Sequence, residues 1–319
     1  MIVMMSTWRP LGALLGTAAL LLAAGCASAP SGTEPAGKQP GQLSVVTAFY
    51  PLQFVAERVA GGRAAVTSLT QPGSEPHDLE LTPRQVGSLS TADLVLYERS
   101  LQPAVDEAIA QSDAAEVLDT TTVVPLQPLG TPQDDGHEHE AAEGGEALDP
   151  HVWLDPTHVA TIADEVARRL SALDAAHTAE YQANAAQLHD ELDTLDAEFR
   201  SGLASCTRTD FITTHAAFGY LARRYSLTQI GISGISPDAE PSPARIAEVQ
   251  REAAEHGVTT IFSETLVSPA VAQSIAGDLG LVTDVLDPLE GITPASRGQD
   301  YFSVMRSNLA ALEKAGGCS

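Results

Sequence analysis

Short apolar runs alternate along the chain with longer segments in which apolar residues recur every three or four positions. The short runs predict β-strands, and the longer spacing predicts amphipathic α-helices between them. This alternation is typical of parallel sheets covered by helices on both faces. In the first half, the predicted strands are Leu43–Ala48, Ala64–Leu69 and Ala92–Tyr97, and the predicted helices are Leu52–Val59, Pro83–Leu89 and Pro103–Ala110.

The second half shows the same alternation, without a visible residue-level repeat. The pattern therefore predicts two similar α/β domains. The predicted strands are Asp210–Thr213, Thr228–Gly231, Val258–Ser263 and Leu281–Leu286, and the predicted helices are Ala216–Tyr225, Pro243–His256, Pro269–Leu279 and Tyr301–Leu312.

One long helix is predicted between the two halves, over Ala176–Leu203. The segment contains no proline, and apolar residues such as Tyr181, Leu188 and Leu195 form a single stripe along it. At 1.5 Å per residue, the helix would be about 40 Å long. It is long enough to run beside both domains and join them stiffly.

The N-terminus predicts export. Arg9 precedes the apolar run Leu11–Ala24, and small residues end the run before Cys26, as in a signal peptide. Residues 23–26 resemble the bacterial lipobox, which predicts removal of residues 1–25 and lipidation of Cys26. The alternative is an ordinary cleaved signal and release into the medium. Residues 26–42, rich in Pro, Gly and Ser, predict a flexible tether to the outer face of the cell membrane.

The net charge of the chain limits the kinds of molecule that it is expected to bind. The 319 residues are 44% hydrophobic and carry a formal net charge of −25. Such an acidic chain disfavours nucleic acid and anionic membrane surfaces as partners. No second long apolar run follows the first one, and the remaining length is enough for two modest domains.

Three cysteines are present, and Cys26 is assigned to the lipid anchor. Because an exported protein meets an oxidising environment, Cys206 and Cys318 are predicted to form a disulfide that ties the C-terminus to the second domain. The alternative is two free thiols.

Four potential metal ligands follow strand-like segments: His77, His151, His215 and Asp287. Ligands of open parallel sheets bind beyond the carboxyl ends of the strands, so these side chains could converge in a cleft between the domains. Three imidazoles and one carboxylate form a four-coordinate site of the type that suits zinc. A single histidine is more often a structural or surface residue, and long separations in sequence do not decide between these interpretations.

The local sequences around these residues do decide. Gly73–Asp78, Asp149–Pro156, Thr213–Tyr220 and Asp284–Leu289 resemble, in the same order, the four ligand segments of the zinc- and manganese-binding solute-binding proteins of bacterial ABC importers. The resemblance extends from about Leu43 to the end of the chain. It implies two Rossmann-like α/β lobes with parallel sheets, joined by one long rigid helix, with the metal between them and no catalysis.

The resemblance also implies the organisation and the partners. The ABC importer's membrane permease is the expected partner, a metallochaperone is a further candidate, and the protein is expected to be a monomer. The expected regions are a signal peptide (1–25), a lipidated tether (26–42), an N-terminal lobe (43–156) containing an acidic loop (121–149), linker helices (157–205) and a C-terminal lobe (206–319).

The third ligand position indicates the metal. Members of this family that carry manganese or iron place glutamate there, whereas those that carry zinc place histidine, as His215 does here. A second carboxylate would favour the harder manganese ion, and imidazole favours zinc or copper. Zn²⁺ is therefore the expected transported ion.

Three further residues are candidates around this site. His137 and His139 resemble a short version of the histidine-rich loop of zinc-specific members and predict weak, exchangeable metal binding; the alternative is a solvated acidic loop. Glu264 follows a strand towards the same cleft and is predicted to orient an imidazole; the alternative is a surface glutamate.

Zinc capture has three alternatives. A manganese- or iron-binding member and a surface adhesin are alternatives within the family. A zinc hydrolase is the alternative from another class, because a zinc-bound water can act as a nucleophile. A carboxylate in the fourth ligand place argues against hydrolysis, since it leaves no open coordination position.

Overall fold

The computed structural model describes residues 41–128 and 148–319. The predicted signal peptide, the lipidation site Cys26 and the loop histidines His137 and His139 lie outside these residues. The first lobe begins with four strands: β1 (Leu43–Thr47), β2 (Ala64–Ser68), β3 (Leu94–Tyr97) and β4 (Val117–Asp119). They form a parallel sheet in the order β2-β1-β3-β4.

Three helices connect these strands: α1 (Tyr50–Ala60), α2 (Pro83–Thr91) and α3 (Pro103–Ala110). Proline stands at the start of each helix, where its fixed φ suits the first turn and its missing N–H costs nothing. Thr82 also caps α2, because its side chain accepts a hydrogen bond from the backbone of Gln85. These local signals explain why the sequence predicted the three helices closely.

The acidic loop is closed at its base by a short antiparallel pair, β5 (Gln127–Pro128) and β6 (Leu148–Asp149). Two helices then lead to the second lobe, α4 (Pro156–Leu173) and α5 (Thr178–Leu203). The 26 residues of α5 confirm the long helix, which is about 39 Å long at 1.5 Å per residue. Its predicted apolar stripe is buried where α5 packs against α4, α1 and the C-terminal helix.

The second lobe contains β7 (Asp210–Thr213), β8 (Thr228–Gly231), β9 (Thr260–Ser263) and β10 (Val282–Val285), in a parallel sheet of order β10-β9-β7-β8. Both lobes therefore have the predicted parallel sheets. The helices of this lobe are α6 (Gly219–Arg224), α7 (Pro243–Glu255), α8 (Ala270–Leu279) and α9 (Tyr301–Gly316).

The two lobes share an apolar core. The ring of Phe54 on α1 stacks on that of Tyr301 on α9, with centroids 5.3 Å apart. Phe49 packs edge-on against Trp153 at 4.7 Å. These contacts place aromatic side chains from both halves in one buried cluster, so the lobes are held together by packing as well as by α5.

A disulfide joins Cys206 to Cys318, as predicted, across 112 residues of sequence. Ser205 and Ser319 reinforce the junction, because the Ser205 hydroxyl donates a hydrogen bond of 2.6 Å to the carbonyl of Ser319. The end of the chain is thus fixed where the second lobe begins. None of the helices in residues 41–128 and 148–319 combines the length and apolarity that a membrane crossing requires.

Candidate metal centre

Three of the four predicted ligands meet in the cleft between the lobes. His77, His151 and His215 lie around the carboxylate of Glu290, and one ligand atom of each residue lies within 4.8 Å of the other three. Oε1 of Glu290 is 3.2 Å from Nε2 of His77 and 3.4 Å from Nε2 of both His151 and His215. The ring centroids of the three histidines are 5.3 to 6.0 Å apart.

Each of these residues follows the carboxyl end of a strand. His77 lies in the loop between β2 and α2, His151 follows β6, His215 follows β7, and Glu290 follows β10. Parallel strands position His77, His215 and Glu290, as expected for an open α/β cleft, whereas the antiparallel β5–β6 pair positions His151.

His151 comes from the first half of the sequence but is held by the second. The indole Nε1 of Trp153 donates a hydrogen bond of 2.7 Å to the carbonyl of Pro288. The hydroxyl of Tyr301 donates another of 2.7 Å to the carbonyl of Trp153. The turn that carries His151 is therefore tied to the loop and the helix that flank Glu290.

Glu264 lies against the ring of His215, on the side away from Glu290. Its Oε1 is 2.7 Å from Nδ1 of His215 and also accepts a hydrogen bond of 3.2 Å from the backbone N–H of the same residue. The hydroxyl of Thr214 donates to this oxygen as well. Glu264 is thus in the position from which a carboxylate can orient the imidazole, with Nε2 turned towards the cluster.

The fourth member of the cluster is Glu290, and the predicted ligand Asp287 lies outside the cluster. One carboxylate oxygen of Asp287 accepts a hydrogen bond of 2.8 Å from the backbone of Leu289, and the other accepts one of 3.1 Å from the hydroxyl of Thr265. The Asp-Pro turn uses the short aspartate side chain to bind its own backbone. Leu289 adopts a positive φ of 61°, and the chain then presents Glu290 to the histidines.

Sequence reasoning missed Glu290 although it lies three positions after Asp287. The Asp-Pro pair was itself a signal, because aspartate before proline commonly begins a turn and is then occupied by it. The next carboxylate along the chain was the better candidate for a ligand.

The cluster is deeply buried and contains unpaired polar atoms. His151 and His215 are fully buried, and Glu290 is 1% exposed. Among the described residues, both ring nitrogens of His215, Nε2 of His151 and Oε2 of Glu290 have no hydrogen-bond partner of good geometry. Unsatisfied buried polar atoms are rare in folded proteins and need an explanation such as a bound ion. Four of the twelve such atoms among the described residues belong to this one cluster.

Close contacts between histidines and carboxylates shift the pKa values of both kinds of group in this site. Burial disfavours the ionised form of Glu290, but contacts with the three histidines outweigh it and hold its pKa well below the usual range. Burial also opposes protonation of His215, yet the charges of Glu264 and Glu290 raise its pKa to about 10. For His151, close contacts with the carboxylates of Asp149 and Glu290 likewise outweigh burial and raise the pKa.

The geometry suits a small divalent cation. Four ligands at 2.0–2.1 Å from a tetrahedral ion would be separated from one another by about 3.3 Å. The three distances from Oε1 of Glu290 to the histidine nitrogens are 3.2, 3.4 and 3.4 Å, which match this separation between ligand atoms. Three neutral imidazoles and one carboxylate would leave a divalent ion with a net charge of about +1 at the ligands.

The chain matches a known protein family over most of its length. A family model described as zinc-uptake complex component A, periplasmic (ZnuA) matches residues 45–315. The chain belongs to the ZnuA family. By that description, ZnuA proteins are periplasmic components of a zinc-uptake complex, which makes them solute-binding proteins and not enzymes.

Two relatives illustrate the ZnuA likeness in sequence. The chain is 35% identical over 300 residues to the zinc-binding lipoprotein AdcA of Streptococcus pneumoniae strain R6, covering 92% of this chain and 60% of that relative. It is 32% identical over 309 residues to the high-affinity zinc uptake system protein ZnuA of Bacillus subtilis strain 168, covering 95% and 96%. The chain therefore spans only 60% of the length of AdcA.

Solved structures of similar proteins confirm the fold. The Zn(II)-bound ZnuA-like domain of S. pneumoniae AdcA has a TM-score of 0.71 at 34% identity, covering 86% of this chain and 99% of that one. A mutant of the laminin-binding adhesin Lmb of Streptococcus agalactiae has a TM-score of 0.76 at 31% identity, with the same coverage. Two parallel-sheet lobes with a long connecting helix are thus the architecture of this chain and of its relatives.

Proposed function

We propose that the chain captures zinc outside the cytoplasm and delivers it to the membrane permease of an ABC-type importer. The proposed ligands are His77, His151, His215 and Glu290. The observation that supports the proposal best is the buried cluster itself, in which one oxygen lies 3.2 to 3.4 Å from three histidine nitrogens. Membership of the ZnuA family and the names of the relatives agree with it.

Metal analysis of the purified protein tests this proposal directly. We expect one tightly bound zinc per chain, removable by a chelator and regained on titration with zinc. Competition with manganese, copper, cobalt and nickel then measures selectivity, since ligand chemistry alone does not set which ion is bound in the cell. A purified protein that takes up no zinc, or prefers manganese over zinc, would overturn the proposal.

The acidic loop should contribute only weak binding. Because His137 and His139 are flanked by acidic residues in an aperiodic segment, any ions they hold should exchange readily. We expect equivalents of zinc beyond the first to bind more weakly and to disappear when Asp134–Glu140 is deleted, with the tight site unchanged. Calorimetric titration of both proteins measures this. Two equally tight sites in the intact protein, or loss of the tight site on deletion, would contradict the expectation.

Selectivity should depend on His215. We expect His215→Glu to shift the preference from zinc towards manganese by at least about tenfold, because the change replaces a borderline ligand with a hard one and adds a negative charge. The ratio of zinc and manganese affinities, measured by competition in the same buffer, checks it. His256→Glu is a suitable control, since His256 is exposed and pairs with Asp210 in the second lobe. An unchanged ratio in His215→Glu would remove His215 from the ligand set.

Hydrolysis is a weaker interpretation of the same residues. A zinc hydrolase needs a coordination position for water, whereas Glu290 occupies the fourth place of the cluster. The adhesin alternative draws only on relatives such as Lmb, and binding to immobilised laminin tests it separately from metal uptake.

Lipidation of Cys26 completes the proposal, because a lipid would keep the protein at the membrane that contains the permease. The mass of the mature N-terminal peptide tests this. A mature protein that begins at an unmodified residue after Cys26 would show that the chain is released instead.

A further inference from the structure

Asp149 supports His151 by two hydrogen bonds to one oxygen. Its Oδ1 accepts from the backbone N–H of His151 at 3.0 Å and lies 2.8 Å from Nδ1 of the same ring. Asp149 is 2% exposed, so water does not compete strongly for this oxygen. With Nδ1–H donating to the carboxylate, the lone pair of His151 is left on Nε2, which is the nitrogen that faces Glu290.

Asp149 is itself held by the second lobe. The hydroxyl of Tyr220 donates a hydrogen bond of 2.9 Å to the Asp149 carbonyl, and the same hydroxyl accepts one of 2.9 Å from the backbone of Gln127. The second carboxylate oxygen of Asp149 lies against Gly219 at the start of α6. A Cβ at Gly219 would be only 2.5 Å from that oxygen.

The absence of a side chain at Gly219 is therefore what admits the carboxylate. Gly219 has no positive φ, so its backbone does not require glycine; the close approach of Asp149 does. Tyr220 holds the backbone of Asp149, and His151 binds Oδ1 of its carboxylate. A shift of the carboxylate away from an added methyl group would therefore disturb its hydrogen bonds to His151.

We infer that Asp149 is a positioning residue for zinc capture, which fixes the tautomer and direction of the His151 ring, and that Gly219 provides the space it needs. This inference rests on the proposed function. Glu264 lies at a similar distance from Nδ1 of His215, 2.7 Å, so two of the three imidazoles have a carboxylate next to Nδ1. Partners of this type raise the basicity of a metal-ligating histidine and remove its rotational freedom.

The test compares zinc affinity in the full chain with Asp149→Ala, Asp149→Asn and Gly219→Ala. We expect Asp149→Ala to weaken zinc binding by about 10- to 100-fold. Asp149→Asn should lose less, because an amide oxygen can still accept from Nδ1–H. Gly219→Ala should also weaken binding. Gly87→Ala is the matched control, since a Cβ at that helical glycine would meet nothing within 4 Å.

The cobalt-substituted protein provides a readout that lost stability alone would not change. We expect the visible absorption of bound Co²⁺ to shift in Asp149→Ala and Gly219→Ala, because it reports the geometry of the ligands, and to stay close to wild type in Asp149→Asn and Gly87→Ala. Thermal unfolding of each metal-free variant separates this effect from a loss of stability.

The outcomes distinguish the two proposals. Wild-type protein that binds no zinc would overturn the proposed function and this inference together. Wild-type binding with unchanged affinity and cobalt spectrum in Asp149→Ala would overturn the inference alone. So would an Asp149→Asn variant as impaired as Asp149→Ala, combined with an equal drop in the unfolding temperature of both, because that pattern indicates a structural role only.

Discussion

Zinc affinity should fall by about 1000-fold when Glu290 is replaced by alanine, since removing one partner from a buried charged cluster costs about 3–5 kcal/mol. The variant loses one of four ligands and the carboxylate that offsets the charge of the ion. Glu290 is 1% exposed, so water cannot readily take its place. Zinc titration in the presence of a competing chelator measures the change.

Asp287→Asn is the informative control for this experiment. Asp287 was the sequence-based choice for the same ligand place, but its oxygens bind the backbone of Leu289 and the hydroxyl of Thr265. Asparagine can preserve one of these acceptors, so we expect a change in zinc affinity of less than about tenfold. If Asp287→Asn proved far more damaging than Glu290→Ala, Asp287 would return as the fourth ligand.

Zinc binding should also weaken by about 1000-fold or more between pH 8 and pH 5. Contact with carboxylates raises the pKa of His215 to about 10, so this ring carries a proton throughout that range in the metal-free protein. Zinc must displace the proton, and each displaced proton changes the apparent affinity tenfold per pH unit. His151, whose pKa is also raised, adds to the slope.

The increase of zinc affinity with pH indicates that the histidines, and not the carboxylate, lose protons when zinc binds. A group with a raised pKa competes with the metal below that pKa, so affinity increases with pH up to about 10 for His215. The pKa of Glu290 is held well below its usual range, so the carboxylate stays ionised from pH 5 to pH 8 and contributes no slope. Calorimetry in buffers of different ionisation enthalpy counts the released protons. A flat profile without proton release would contradict a site built from three histidines.

Much of the fold was predictable because local signals agreed with the final packing. Proline at helix starts and β-branched strand residues specify elements through short-range chemistry. Where tertiary contacts dominate, the prediction was less accurate. The helix predicted from Ala216 begins only at Gly219, because the chain after β7 is occupied in holding His215, with the backbone N–H of Ala216 bound to the carbonyl of Gly234 at 2.8 Å. Strand β4 has three residues and was too short to be recognised.

The same distinction applies to the site. Each of the three histidines lies in a motif of its own, and the structure brings these three predicted ligands together around Glu290. Choosing between Asp287 and Glu290 required the direction of the chain after the turn at Leu289, and a residue pattern does not contain that information. The support of His151 by Asp149 was not predicted either, because the space for the second Asp149 oxygen is provided by Gly219, which is 70 positions away.

The position of the C-terminus limits how the lobes can move. In the part of the chain that the structure describes, the polypeptide passes from the first lobe to the second at α4 and α5, and the disulfide between Cys206 and Cys318 holds the C-terminus next to the start of the second lobe. Within residues 41–128 and 148–319, the second lobe is therefore connected to the first at one place in the chain. The position of the second lobe relative to the first depends on side-chain packing, such as the stacking of Phe54 on Tyr301. Any pivoting motion must slide or separate those rings.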